Sequence, residues 1–112
     1  MAQIAIIPGD GIGREVIDEG VRVLTHLSER HSLDLNLTEL DYGADRYLRE
    51  GISITDEEMT QLGDNYDAVF LGALGDPRVP SNVHAKEILL GARFKLDLYV
   101  NYRPCKLLDS RY

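Results

Sequence analysis

Apolar and polar positions along the chain change period several times, and each change marks an element. Gln3 to Ile7 is apolar after its first residue, which predicts a buried strand at the N-terminus. Pro8 to Gly13 then supplies a loop. Val16, Ile17, Val21, Leu24 and Leu27 recur at helical spacing, so Arg14 to about Ser28 reads as an amphipathic helix. Leu33, Leu35 and Leu37 alternate with Asp34, Asn36 and Thr38, the period of a strand with one covered face. A short helix is predicted around Ala44 to Arg49, with Gly51 as its stop. Thr55-Asp56-Glu57-Glu58 has the spacing of a capping box, in which the first hydroxyl and the last carboxylate each satisfy a free backbone N–H. A helix should follow to about Leu62. Ala68 to Leu74 is apolar without alternation, as expected of a central strand covered on both faces. Gly75 to Val83 reads as a loop, His84 to about Phe94 as a helix, and Leu98 to Tyr102 as extended chain.

The order strand, helix, strand, helix, strand, helix, strand predicts an α/β fold: a parallel-type sheet with helices on both faces. Three or four strands barely cover such a sheet. Residues 1–112 are therefore expected to form a single incomplete α/β unit, with further strands supplied by a missing segment.

Composition narrows the function classes. A formal net charge of -7 repels nucleic acid and argues against it as a partner. No run of 18 apolar residues exists, so no membrane-spanning helix is expected. The N-terminus lacks a basic segment followed by an apolar core, so no signal peptide is visible. One cysteine, Cys105, rules out an internal disulfide and fits a reducing cytosol, which makes a cytoplasmic location the expectation. Cys105 stands beside Lys106, but a lone cysteine is more often inert and receives no role. His26, His31 and His84 lack metal-ligand spacing and read as surface or helix-end residues.

Two motifs carry chemistry. Gly9-Asp10-Gly11-Ile12-Gly13 follows a strand and opens a helix. A dinucleotide fingerprint would need a sixth-position glycine, and Arg14 stands there. From spacing alone the plainer reading is a strand-to-helix turn that needs glycine dihedrals. The second motif is the run from Leu89 to Pro104, which contains Arg93 and Arg103. An isolated arginine near a helix C-terminus suits the helix dipole and is usually solvated. Arg103 lies in a largely apolar segment, where a charge needs a partner. Two guanidiniums converging on one cleft would hold a dicarboxylate through paired N–H···O bonds, a geometry that lysine cannot match.

Together, Pro8-Gly9-Asp10-Gly11-Ile12-Gly13 and Arg93 through Asn101, Arg103 and Pro104 resemble the β-hydroxyacid oxidative decarboxylases, which include the isopropylmalate, isocitrate, homoisocitrate and tartrate dehydrogenases. The resemblance runs from Ile4 to Leu108. It implies oxidation of a 2-hydroxyl to a ketone with NAD or NADP, then loss of carbon dioxide assisted by Mg2+ or Mn2+. By the same carry-over Ile12 touches the cofactor and Asp10 is a turn and helix-entry residue. Arg93 and Arg103 bind the malate part of the substrate, and Leu89 and Leu90 line the pocket for a branched apolar group. Leucines at helical spacing are ordinarily core, so the residues alone leave that role open. Glu87-Ile88-Leu89-Leu90 has no hydroxyl or amide to hold an extra carboxylate. This favours the isopropylmalate type, hence leucine biosynthesis, while the Asp76 to Pro80 loop leaves tartrate or another 2-hydroxy diacid open.

In the family, the metal-binding aspartates, the catalytic lysine and a tyrosine come later than Tyr112. The resemblance thus implies no catalytic residue and no metal ligand within this chain. The expectation is the N-terminal part of a two-domain enzyme that forms a homodimer at full length and is inactive as a fragment. The rival reading is a small α/β anion-binding module without catalysis.

Overall fold

The computed structural model describes residues 1–112. Its centre is a three-stranded parallel sheet in the order β2-β1-β3. Strand β1 is Ala2–Gly9, β2 is Leu35–Glu39 and β3 is Ala68–Ala73. β1 pairs Ala2 with Leu35 and Ile6 with Glu39 on one side, and Ile4 with Ala68 and Gly9 with Ala73 on the other. Consecutive residues of a strand face opposite sides, yet Ala5, Ile6 and Ile7 are all buried. β1 is therefore the strand covered on both faces. The run over Ala68–Leu74 is assigned the central place by its apolar composition, but β3 forms the sheet edge, with Ala68 and Val69 exposed. Composition reports apolar content and not the number of neighbours, and the Gly72 and Ala73 end is the part that packs closely.

Helix α1, Ile12–His31, covers one face and buries Ile17 there. Its entry is set by sterics. Gly9 has φ +79°, and a Cβ there would lie 2.1 Å from the Ala73 carbonyl oxygen. At Gly13 a Cβ would come within 2.3 Å of the Pro8 carbonyl oxygen, so only glycine lets the helix start this close to β1 and β3.

On the opposite face, Ala5 and Ile7 pack with Ile54, with Met59 and Leu62 of α3, and with Ile88. Helix α2, Ala44–Glu50, ends as predicted at Gly51, whose φ is +74° and whose N–H reaches the Tyr47 carbonyl at 2.8 Å. Helix α3, Asp56–Asn65, begins with the predicted capping box. The Glu58 N–H donates to Thr55 Oγ1 at 3.1 Å, and the Thr55 N–H donates to Glu58 Oε2 at 2.8 Å.

After β3 the chain turns through a 3-10 helix, Pro80–Asn82, into a helical stretch over residues 83–95. This stretch is α4 (Val83–Ala85), a π-helical turn (Lys86–Leu90) and α5 (Gly91–Lys95). The π turn inserts one extra residue, so the residues before and after it face differently than a regular helix would allow. Asp97 then adopts φ 54°, and the Leu98 N–H reaches back to the Arg93 carbonyl at 2.9 Å, which ends the helix. The fourth strand predicted over Leu98 to Tyr102 does not form. Leu98, Tyr99, Val100 and Tyr102 are exposed and have no strand partner. No helix is long and apolar enough to cross a membrane.

Candidate functional site

Parallel strands present their carboxyl ends on one edge of the sheet, where loops and helix N-termini converge. Here that edge holds the Gly9–Gly13 turn, the start of α2, the chain leaving β3, and the helical stretch over residues 83–95. One carboxylate joins all four. Asp10 is buried, and its Oδ1 accepts the Ala44 N–H at 2.7 Å. Its Oδ2 accepts the Gly75 N–H at 2.9 Å and lies 2.7 Å from His84 Nε2. His84 has no exposed surface. Its place at a helix end is as expected from the sequence, but the expected surface exposure is overturned. The partner that pulls it inside lies 74 positions earlier, beyond any local pattern.

Ile12 stands on the outside of this turn, at the first residue of α1. It is 66% exposed. The expected cofactor contact thus has an available side chain. Asp10 does hold the turn and helix entry as expected, and in addition links three distant segments.

Leu89, Leu90 and Arg93 lie on the helical stretch, with Leu90 and Arg93 three positions apart and so on one face. Leu89 and Leu90 are each more than a third exposed and do not belong to the core, whereas their neighbour Ile88 does. Leu90 and Arg93 both line a surface groove of about 370 Å³, completed by Phe94, Asp97, Leu98, Tyr99 and Asn101. The arrangement puts a guanidinium beside apolar walls. Arg103 lies outside the groove. It is exposed, and its Nε donates to Asn101 Oδ1 at 3.3 Å. The structure therefore brings Leu90 and Arg93 together and leaves Arg103 apart, though Asn101 borders the groove and bonds to it.

Two ion networks brace the surroundings. Arg46 donates to both oxygens of Glu58 at 2.8 and 2.9 Å, to Glu50 at 2.8 Å and to the Ser53 carbonyl at 3.3 Å. The paired bonds from Arg46 hold the Glu58 carboxyl below its ordinary range, and Glu58 in turn raises the Arg46 guanidinium. Arg46 also lies 5.4 Å from the centre of the Tyr42 ring, and burial pushes the Tyr42 hydroxyl up. Near the β3 exit, Arg78 bridges Asp76 and Asp45, and Asp45 also pairs with Arg14. The Arg78 side chain and its backbone N–H draw Asp76 down to about 2. This second network is mostly exposed and contributes little to stability.

Ser53 is fully buried and donates to Glu87, which occupies that carboxylate away from the groove. No group of three or more His, Cys, Asp or Glu side chains is placed to hold a metal ion. The divalent ion implied by the resemblance has no fitting site among these residues, and no step is routed through it.

Residues 3–112 match the family described as isocitrate/isopropylmalate dehydrogenase. The 3-isopropylmalate dehydrogenase of Thermobifida fusca is 46% identical over 94% of this chain and 29% of its own length. That of Corynebacterium jeikeium is 49% identical over 94% of this chain and 30% of its own length. The crystal structure of a β-decarboxylating dehydrogenase from Thermococcus kodakarensis superimposes with a TM-score of 0.68 at 34% identity, covering 88% of this chain and 28% of that one. The chain thus spans under a third of the length of the curated relatives it matches.

Proposed function

Since this chain belongs to the isocitrate/isopropylmalate dehydrogenase family, we propose that it supplies the substrate edge of an enzyme that oxidises and decarboxylates 3-isopropylmalate. The observation that carries the reading is the groove in which Leu90 and Arg93 sit side by side. A branched apolar substituent needs a wall such as Leu90 offers, and a carboxylate needs the guanidinium next to it; Leu89, assigned to the same wall by the resemblance, lies outside the groove in this structure. An isocitrate site would need a polar group for a third carboxylate. Glu87, the one polar side chain between Lys86 and Gly91, is an acid already engaged by Ser53.

In this reading Arg93 and Arg103 hold the two ends of the malate moiety, and Ile12 contacts the nicotinamide. NAD or NADP, when bound, supplies the hydride acceptor. The chain's own residues bind, orient and keep water from the apolar side of the diacid. The general base and the ligands for Mg2+ or Mn2+ come from elsewhere in the working protein, which acts as a homodimer in the cytoplasm. By itself the 112-residue chain is expected to turn over no diacid.

Steady-state reduction of NAD by the native product of the reading frame tests this directly, with 3-isopropylmalate, isocitrate and tartrate compared at equal metal. The expected result is a kcat/KM for 3-isopropylmalate at least roughly a hundredfold above the others, as one lost apolar wall or one unpaired carboxylate suffices to produce. Preference for isocitrate or tartrate would overturn the substrate, and turnover by the isolated 112 residues would overturn the division of labour.

A further inference from the structure

The carboxylate of Asp10 is almost fully enclosed, with three donors directed at its two oxygens. Two are backbone N–H groups, from Ala44 and Gly75. The third is a side chain from the helical stretch that carries Leu89, Leu90 and Arg93. A carboxylate only accepts hydrogen bonds, so the hydrogen in the contact sits on His84 Nε2. The imidazole's other nitrogen, Nδ1, is buried and has no hydrogen-bond partner. Burying it unpaired carries a cost that an apolar side chain at this position would avoid. The imidazole is thus paired at one end only, and that end faces Asp10.

We infer that His84 is a positioning residue: through Asp10 it fixes the turn bearing Ile12 relative to the helical stretch bearing Leu90 and Arg93. This rests on the reading above, in which Ile12 serves the cofactor and the other two serve the diacid. The geometry supplies the reason. Asp10 precedes Ile12 by two positions, within the same glycine turn. His84 starts the helical stretch, and Arg93 lies nine residues on, roughly 13 Å along its axis at 1.5 Å per residue. A hinge at its first turn would displace Arg93 nearly as much as the far end of the stretch at Lys95. The π turn over Lys86–Leu90 lies between, so the orientation of Arg93 depends on where the first turn is anchored. Among side chains, the His84–Asp10 contact is the direct link between the two segments. Tyr47 of α2 packs near the imidazole, with ring centres 6.3 Å apart, and helps hold its orientation.

The test uses His84→Leu and His84→Gln in the native product of the reading frame. Glutamine can place an amide nitrogen near the position of Nε2 and donate to Asp10, whereas leucine only fills space. His84→Leu should raise KM for both cofactor and diacid, each by up to roughly ten- to a hundredfold, the range expected when one charge-assisted bond is lost. His84→Gln should restore both. A purely packing role would lower the melting temperature of His84→Leu and leave both KM values unchanged at a temperature where it is folded, which would overturn the inference. If His84→Leu does not fold, His84→Gln decides alone: a folded protein with either KM raised contradicts it. A second readout is independent of any activity. In protein labelled with 15N-histidine, His84 should show a protonated Nε2 and a bare Nδ1. The opposite tautomer would overturn the link to Asp10 even if the diacid proves to be a different one. If no diacid is turned over, the functional reading fails by itself. The backbone amides of Ile12 and Arg93 then decide: both should shift in His84→Leu and hold in His84→Gln.

Discussion

Arg93 and Arg103 read differently in the sequence, the first as a solvated charge near a helix end and the second as a charge in an apolar run that needs a partner. In the structure they belong to different regions. Arg93 sits on a helical stretch whose Ile88 is locked into the core with Ala5, Ile7 and Met59. Its groove is completed by Leu98, Tyr99 and Asn101 of the segment that follows. Arg103 sits on an irregular segment in which Leu98, Tyr99, Val100 and Tyr102 are all exposed, Tyr99 at 88%. The difference teaches what positions a functional side chain. A guanidinium becomes part of a site when its backbone is held by contacts far away in sequence. Without them, a charge in an apolar-looking run is simply solvated, and the pairing that burial would demand does not arise. The exposed segment also resembles an edge strand that has not found its sheet.

Breaking the packed side of this comparison should have the largest effect. Met59 is almost fully buried and joins α3 to the face of β1 that also anchors Ile88. Met59→Ala should cost about 2–5 kcal/mol, measured by denaturant unfolding, and should loosen the groove around Arg93 while leaving Arg103 indifferent. Equal changes at both arginines in hydrogen exchange would show that the two regions are not distinct.

A smaller effect is expected where α2 meets α3. Glu58→Gln keeps an acceptor for the cap but removes the charge facing Arg46, and should cost about 1–3 kcal/mol. The same pair gives a pH dependence. The folded Glu58 carboxyl lies below its unfolded value because of Arg46, so its contribution is full above about pH 4.3 and is lost as pH falls through the lowered folded value. Acid melts of the parent protein should therefore show a loss that Glu58→Gln lacks. Identical profiles would remove the pair from the balance. The smallest effect belongs to the exposed segment. Tyr99→Ser should change stability by less than about 0.5 kcal/mol, while reducing self-association of the 112-residue chain in light scattering.

Much of the fold was legible because local physics decided it. The 3.6-residue spacing of Val16 to Leu27 and the Thr55–Glu58 box each name their element without help from the rest of the chain. Gly51 likewise marks a helix end that only a left-handed residue closes easily. The central strand was less legible, since β1 and Ala68–Ala73 are both apolar and only the pairing order separates them. Ile12, Leu89, Leu90, Arg93 and Arg103 could be named as candidates through motif resemblance. His84 could not, because its meaning lies in Asp10, and nothing around Val83-His84-Ala85 points there. The unpaired state of Leu98–Tyr102 was equally hidden, since an apolar run looks the same whether or not a neighbouring strand covers it.

The central claim is that these two unlike arginines act on one diacid in the working enzyme. A double-mutant cycle with Arg93→Lys and Arg103→Lys, read as kcat/KM for 3-isopropylmalate in the native product of the reading frame, tests it most directly. Lysine keeps the charge and loses the planar two-pronged contact. Each single change should lower kcat/KM by roughly ten- to a hundredfold with little change in cofactor affinity, and the double change should cost less than the product of the two, because both hold the same molecule. Full efficiency in Arg103→Lys, with loss confined to Arg93→Lys, would contradict it and leave Arg103 as the solvated surface charge that the structure of this chain displays.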